Sequence, residues 1–152
     1  CRFFDYHGDA LFLEAAKVFD VVSLAFYWET PPVAELDALG AALDRPVLIE
    51  EFSFKAKDSG LPNVKNWAPM VDTQKDRALG YDAYVQAWMR RPYAVAFHWY
   101  KWLDNPPKDE DPFAGVNFGL LNPQDEPYLP LVTLAREVNG RVETWHADGG
   151  AP

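Results

Sequence analysis

Val47-Leu48-Ile49-Glu50-Glu51-Phe52 sets three consecutive aliphatic residues directly before two carboxylates. The run is short and apolar. Pro46 bounds it on one side, and a segment rich in Lys, Gly, Pro and Asn (53–70) bounds it on the other, so it reads as a buried β-strand over 46–52. Carboxylates are costly to bury unless they are paired or functional, so two of them at a strand end suggest that the strand opens onto a site there. Side chains alternate along a strand, so only one of Glu50 and Glu51 is expected to face that opening. The plain alternative is a solvated strand end, where acidic residues are common, and composition alone favours it.

The same kind of run occurs on either side. Residues 20–28 (Asp-Val-Val-Ser-Leu-Ala-Phe-Tyr-Trp) and 93–100 (Tyr-Ala-Val-Ala-Phe-His-Trp-Tyr) read as two further strands. Helices are expected between and around them. A short one spans 9–18, with Asp9 as N-cap. A second starts at Thr30-Pro31-Pro32, with Thr30 as cap and Pro31 in the first helical position, and runs to about Leu43. A long one covers about 73–90, where Thr73 and Asp76 have capping-box spacing. A last one covers about 128–138 and stops at Gly140. Strands that are apolar throughout and alternate with helices imply parallel pairing, burial on both faces and helical crossovers. The polar loops 53–70 and 102–117 both follow C-terminal strand ends, which carry the chemistry in such folds. No Gly-rich phosphate loop follows any strand.

Composition narrows the classes of function. Of the 152 residues 49% are apolar, enough for a globular core. The net charge of −9 disfavours nucleic acid and anionic membrane surfaces as partners. No apolar run approaches the roughly 20 residues that a membrane span needs. The single cysteine, Cys1, excludes an intrachain disulfide and a cysteine-based metal cluster. Aromatic residues make up 15%, including six Trp, which suits either a large core or a saccharide site where rings stack on sugar C–H faces.

Four segments, in order, carry a family resemblance. The first joins Cys1-Arg2-Phe3 to Ala15–Tyr27; the second joins Glu51-Phe52-Ser53-Phe54 to Val71–Ala78 and on through Tyr84. The third is His98-Trp99-Tyr100-Lys101-Trp102-Leu103-Asp104, and the fourth runs Asn117–Asn122 and then Pro127-Tyr128. Together they resemble the fifth to eighth strands of the clan A (β/α)8-barrel glycoside hydrolases, and within that clan the family 50 β-agarases. The resemblance implies an α/β fold corresponding to about strands five or six to eight, with their helices, of a TIM barrel. Residues 1–140 would be the C-terminal half of the catalytic domain and 141–152 a C-terminal tail.

It also implies a function. The parent enzyme would hydrolyse β-glycosidic bonds of a galactan such as agarose by a retaining double displacement, without metal or cofactor. The family register selects Glu51 as nucleophile. Trp99 would floor the subsite of the cleaved sugar, and Tyr27 would hydrogen-bond the nucleophile. Trp28 would stack on sugar, while His98, Arg2, Asp104 and Asn117 would contact the substrate. Each has an ordinary alternative: a core aromatic, a hydrogen-bonded histidine, a terminal cation or a loop-turn residue. Gln74 and Arg77 are expected to be structural.

Two departures, Glu50 and Ser53 where the family often has Gly and His, point to agarose or a related β-galactan. The clan's acid/base Glu follows an Asn at the end of the fourth strand. This chain contains no Asn-Glu pair, so that group is expected on a missing N-terminal half-barrel. The resemblance further implies a secreted or periplasmic enzyme. Two alternatives stand beside it: a non-catalytic carbohydrate-binding module using Trp28, Trp99 and Trp102, and a half-barrel closed by self-association.

Overall fold

The computed structural model describes residues 2–4, 10–64, 67–108 and 114–149. In chain order the elements are β1 (Arg2–Phe4), α1 (Ala10–Ala16), β2 (Val22–Ala25), α2 (Val33–Leu43), β3 (Val47–Phe52), β4 (Lys55–Ala56), β5 (Met70–Val71), α3 (Gln74–Met89), β6 (Ala94–Trp99), α4 (Leu129–Asn139) and α5 (Val142–Gly149). Strands β1, β2, β3 and β6 form one sheet in that order, with every pairing parallel. The fold is therefore mixed α/β, with helical connections between successive strands. Inside the loop expected over 53–70, β4 and β5 make a small parallel pair of their own. The side chain of Arg2, and Asp9 as an N-cap, lie outside the described residues.

The helix layer packs on one face of the sheet. Val22, Leu24, Val47, Ile49 and Phe52 are fully buried there with Leu36, Leu39, Tyr84, Val85, Trp88 and Leu131. Phe52 stacks on Tyr84 at 4.3 Å between ring centroids and 7° between planes. The buried polar tips of α3 are matched: the Tyr84 hydroxyl donates to the Phe26 carbonyl (3.2 Å) and the Trp88 indole N–H to that of Ala96 (2.9 Å). Burial on both faces, expected for every strand, holds for β2 but not for β6, which leaves Val95 51% exposed and His98 exposed. As the last strand of the sheet, β6 has a protein neighbour along one edge only.

Three helix boundaries differ instructively. α2 begins at Val33 with Pro32 in the cap position, not at Pro31 after Thr30. A residue that precedes proline is driven out of the helical region, so Pro31 cannot start a helix ahead of Pro32. The capping box of α3 is present as expected: Thr73 Oγ1 accepts from the Asp76 N–H, and Asp76 accepts from the Thr73 N–H, both at 3.1 Å. At the other end of the chain, Gly140 stops α4 but stays right-handed (φ −68°), so the chain turns at once into α5. Residues 142–149, expected to be part of a tail, are thus a docked helix. Trp145 is buried, with the Arg141 guanidinium 5.0 Å from its ring, and His146 Nδ1 lies 3.2 Å from the Met89 carbonyl.

The feature that shapes the site is an irregularity in β3. Leu24 and Ala25 of β2 pair with Ile49 and Glu51, skipping Glu50. On the other side, Phe97 and Trp99 of β6 pair with Ile49 and Phe52. β3 thus carries one residue more than each neighbour, a β-bulge at Glu50-Glu51. Buried side chains on the helix side fall at Val47, Ile49, Phe52 and Phe54, so the alternation changes parity across the bulge. Unbroken alternation would have sent Glu51 into the helix layer with Ile49. The expectation that only one of the two acids turns away from the core is corrected: both are half-buried, and both reach toward β2.

Candidate active site

Glu51 ends β3, and Tyr27 lies two residues beyond the end of β2. The backbone holds them together, because the Phe26 N–H donates to the Glu51 carbonyl at 3.0 Å. The side chains then meet: the Tyr27 hydroxyl donates to Glu51 Oε2 at 2.6 Å. A hydrogen bond to a carboxylate is stronger than a neutral one and fixes the rotamer of the acid. Glu50 has a separate partner in the hydroxyl of Ser23, which is buried on β2. Two adjacent carboxylates thus occupy distinct polar environments at the C-terminal end of a parallel sheet.

Aromatic rings wall the space around Tyr27. Trp67 meets it edge-on at 4.4 Å, Tyr100 lies at 6.4 Å, and the buried Phe118 lies 4.7 Å from Trp67 and 5.7 Å from Tyr100. Neither Trp67 nor Tyr100 stands out from spacing in the sequence. The available signal was weaker: an isolated Trp in a polar loop, and a Tyr directly after His98-Trp99. Trp28 is 40% exposed beside the same wall and rests on Phe26 at 5.6 Å. Lys55 is buried at the base of this wall, and burial pulls its pKa below the usual lysine value.

On β6, His98 is exposed and Trp99 half-buried. The Trp99 indole N–H donates to the Phe118 carbonyl at 2.8 Å. The Arg77 guanidinium lies 5.1 Å from its ring centroid, and Phe54 lies nearly parallel at 6.4 Å. The ring is therefore clamped by the α3 side of the structure.

Asp104 and Asn117, expected to contact sugar hydroxyls, occupy a different place. Both are fully buried. Asp104 accepts four hydrogen bonds: from the Phe118 and Gly119 N–H groups, from the Asn117 amide (2.8 Å) and from the Tyr128 hydroxyl (2.9 Å). The Asn117 amide oxygen accepts from the Ala56 N–H and from Gln74, and its own N–H donates to Asn63. The physical reason is the tight 117–119 segment, whose buried N–H groups need acceptors that the sheet does not supply. Arg77 completes this cluster by donating to the Phe54 carbonyl (2.7 Å), Gln74 (3.2 Å) and the Asn117 carbonyl (3.2 Å). Burial lowers its pKa to about 10, against the opposing pull of Asp104, Tyr128 and Asp58. Gln74 and Arg77 are structural, as expected, and Asp104 and Asn117 join them in holding Phe118 against the aromatic wall.

No family model matches the chain. Against curated proteins it is 34% identical over 135 residues to β-agarase B of Vibrio sp. (strain JT0107), which covers 84% of this chain and 13% of that protein. This chain is a relative of the family 50 β-agarases. β-Agarase A of the same strain is 31% identical over 131 residues, covering 82% of this chain and 13% of its own length. Among solved structures, an exo-β-agarase superposes with a TM-score of 0.83 at 32% identity, over 95% of this chain and 19% of that one. The segment thus spans about an eighth of the length of its curated agarase relatives, and within it the Tyr27–Glu51 pair stands at the sheet's C-terminal edge. Homology supports a glycoside-hydrolase-type protein. Among the described residues no helix is long and apolar enough to cross a membrane, and no three His, Cys, Asp or Glu side chains converge as metal ligands.

Proposed function

We propose that this chain is the C-terminal half of a (β/α)8 barrel that cleaves β-glycosidic bonds of a galactan such as agarose, with Glu51 as its nucleophile. The observation that carries the reading is the 2.6 Å hydrogen bond from Tyr27 to Glu51, set at the C-terminal ends of adjacent parallel strands. Glu51 would attack the anomeric carbon and form a glycosyl-enzyme. A carboxylic acid about 5–5.5 Å away would protonate the leaving oxygen and then activate water. That second group would come from an N-terminal half-barrel that pairs with β1 and β6. Tyr27 would hold Glu51 in its attacking rotamer. Tyr100, Trp99, His98 and Trp28 would line the sugar, and Arg2 on β1 would approach from the far side. No step needs a metal or organic cofactor.

The test is Glu51→Gln in the full-length enzyme. Turnover of agarose is expected to fall by several orders of magnitude while oligosaccharide binding persists. Mass spectrometry after reaction with a 2-deoxy-2-fluoro-β-galactoside is expected to find the label on the peptide carrying Glu51. Normal turnover in the variant, or a label elsewhere, would remove Glu51 as nucleophile.

A second reading draws on the two sheet edges, β1 and β6, each paired on one side only among the described residues. Two copies would close on one another through these edges. Light scattering decides it: a stable monomer excludes self-closure.

A further inference from the structure

We propose that the depression bounded by Tyr27, Trp28, Lys55 and Trp67 is a second saccharide subsite, adjoining the one at Glu51, and that it takes a neutral pyranose unit. This rests on the glycoside-hydrolase reading above. The depression is lined by Tyr27, Trp28, Glu29, Lys55, Trp67 and the 68–70 segment. Three of its large apolar residues are exposed together: Trp28 (40%), Trp67 (38%) and Met70 (39%). Scattered exposed apolar residues need no explanation, but two indoles on one concave surface form a patch suited to binding.

Both rings are set before any ligand arrives. Trp67 is held edge-on by Tyr27 at 4.4 Å and by Phe118 at 4.7 Å, and Trp28 leans on Phe26 at 5.6 Å. Rigid platforms lose little conformational entropy on binding. Phe118 is itself anchored through the Asp104 carboxylate, so the buried cluster beneath supports the platform above.

The polar groups select the ligand class. Lys55, buried at the floor, supplies N–H donors, and Glu29, exposed at the rim, supplies acceptors. One donor and one acceptor between two aromatic faces match a pyranose, whose hydroxyls do both and whose C–H faces are apolar. An apolar peptide would leave the buried ammonium of Lys55 unmatched. An anionic sugar would meet Glu29, Glu51 and a chain charge of −9. Tyr27 joins the two subsites: its hydroxyl touches Glu51 and its ring borders Trp67.

The experiment measures binding of agarose-derived disaccharide and hexasaccharide to the full-length enzyme carrying Glu51→Gln, by tryptophan fluorescence and calorimetry. Adding Trp67→Ala is expected to weaken hexasaccharide binding about tenfold, the loss of one aromatic contact, and disaccharide binding distinctly less. Lys55→Met is expected to show the same length dependence. Equal losses at both lengths, or none, would overturn the subsite. A sulfated galactan hexasaccharide is expected to bind more weakly than the neutral one; tighter binding would overturn the neutral assignment. Should Trp67→Ala fail to fold, Trp28→Ala at its more exposed position replaces it with the same expected outcome. If the wild-type enzyme cleaves no β-galactan and yet Trp67→Ala selectively weakens the longer saccharide, the subsite stands and the catalytic reading falls. If cleavage is normal and the variant binds like its parent, the subsite alone falls.

Discussion

The phenol of Tyr27 reaches from beyond the end of β2 to within 2.6 Å of a carboxylate oxygen of Glu51 at the end of β3. Two groups on separate strands meet because the backbone bond from Phe26 to Glu51 sets their spacing and the bulge in β3 turns Glu51 away from the helices. An acid held this way offers one oriented oxygen, which is what a nucleophile attacking a single carbon needs.

Tyr27→Phe keeps the ring against Trp67 and removes only the hydroxyl. A hydrogen bond to a charged group contributes about 1.5–3 kcal/mol, so kcat in the full-length enzyme is expected to fall roughly ten- to a hundredfold. The urea midpoint should move little. Steady-state kinetics together with urea unfolding separate the two effects, and an unchanged kcat would end the orienting role of Tyr27.

Asp104→Ala is expected to be among the most destabilising single changes in the chain. It leaves the N–H groups of Phe118 and Gly119 without their acceptor, together with the Tyr128 hydroxyl, and it removes the charge that offsets buried Arg77. Breaking a buried charged network by deleting one member costs about 3–5 kcal/mol. Combining it with Arg77→Met should cost less than the sum of the two single changes, because the groups share one network. Chemical denaturation of the four proteins measures the coupling; strict additivity would show that they are independent.

Gly119→Ala should be destabilising by about 1–3 kcal/mol or more. A Cβ there collides with the Leu121 carbonyl oxygen and the Asp104 N–H, and neither is a flexible side-chain end. The thermal midpoint reports the effect. A neutral substitution would mean that the 117–121 turn shifts freely.

Alkaline stability should depend on Tyr81. Burial raises its pKa from 10 to about 12, only partly offset by its hydrogen bond to Asn139. Between those values the unfolded chain has released the proton while the folded one retains it, so stability declines as pH rises from about 10 to 12. Tyr93 and Tyr128, also raised by burial first, add declines of the same sign at higher pH. In Tyr81→Phe the slope of unfolding free energy against pH over 10–12 should flatten. An unaltered slope would assign the alkaline loss to other groups.

The strands, their parallel order and most helix positions were legible because apolar runs of strand length alternate with helical stretches and capping signals. The Thr73–Asp76 box could be read directly, since it depends on local spacing alone. Glu51 and Tyr27 were legible as a pair only through resemblance, because their contact spans 24 positions in the chain. The parity change in β3 was not, since Leu48 is as apolar as its neighbours and hides which residues face the helices. Asp104 and Asn117 were misplaced for a related reason. A carboxylate and an amide in a polar loop look the same in sequence whether they meet solvent or cap buried N–H groups. α5 was missed because Gly140 looks like a terminator, and here it is only a corner.

The extra residue in β3 also makes Glu50 a spacer. Remove that one position and the ladder to β2 and β6 could close without a skip, but every side chain after it would change sides. Glu51 would enter the oily layer, Phe52 and Phe54 would swing out toward the cleft, and the aromatic stack on Tyr84 would be lost. A conservative replacement at Glu50 leaves the reading frame of the sheet intact, whereas a deletion exchanges its inside for its outside. The length of this strand is therefore under tighter constraint than the identity of the residue that lengthens it.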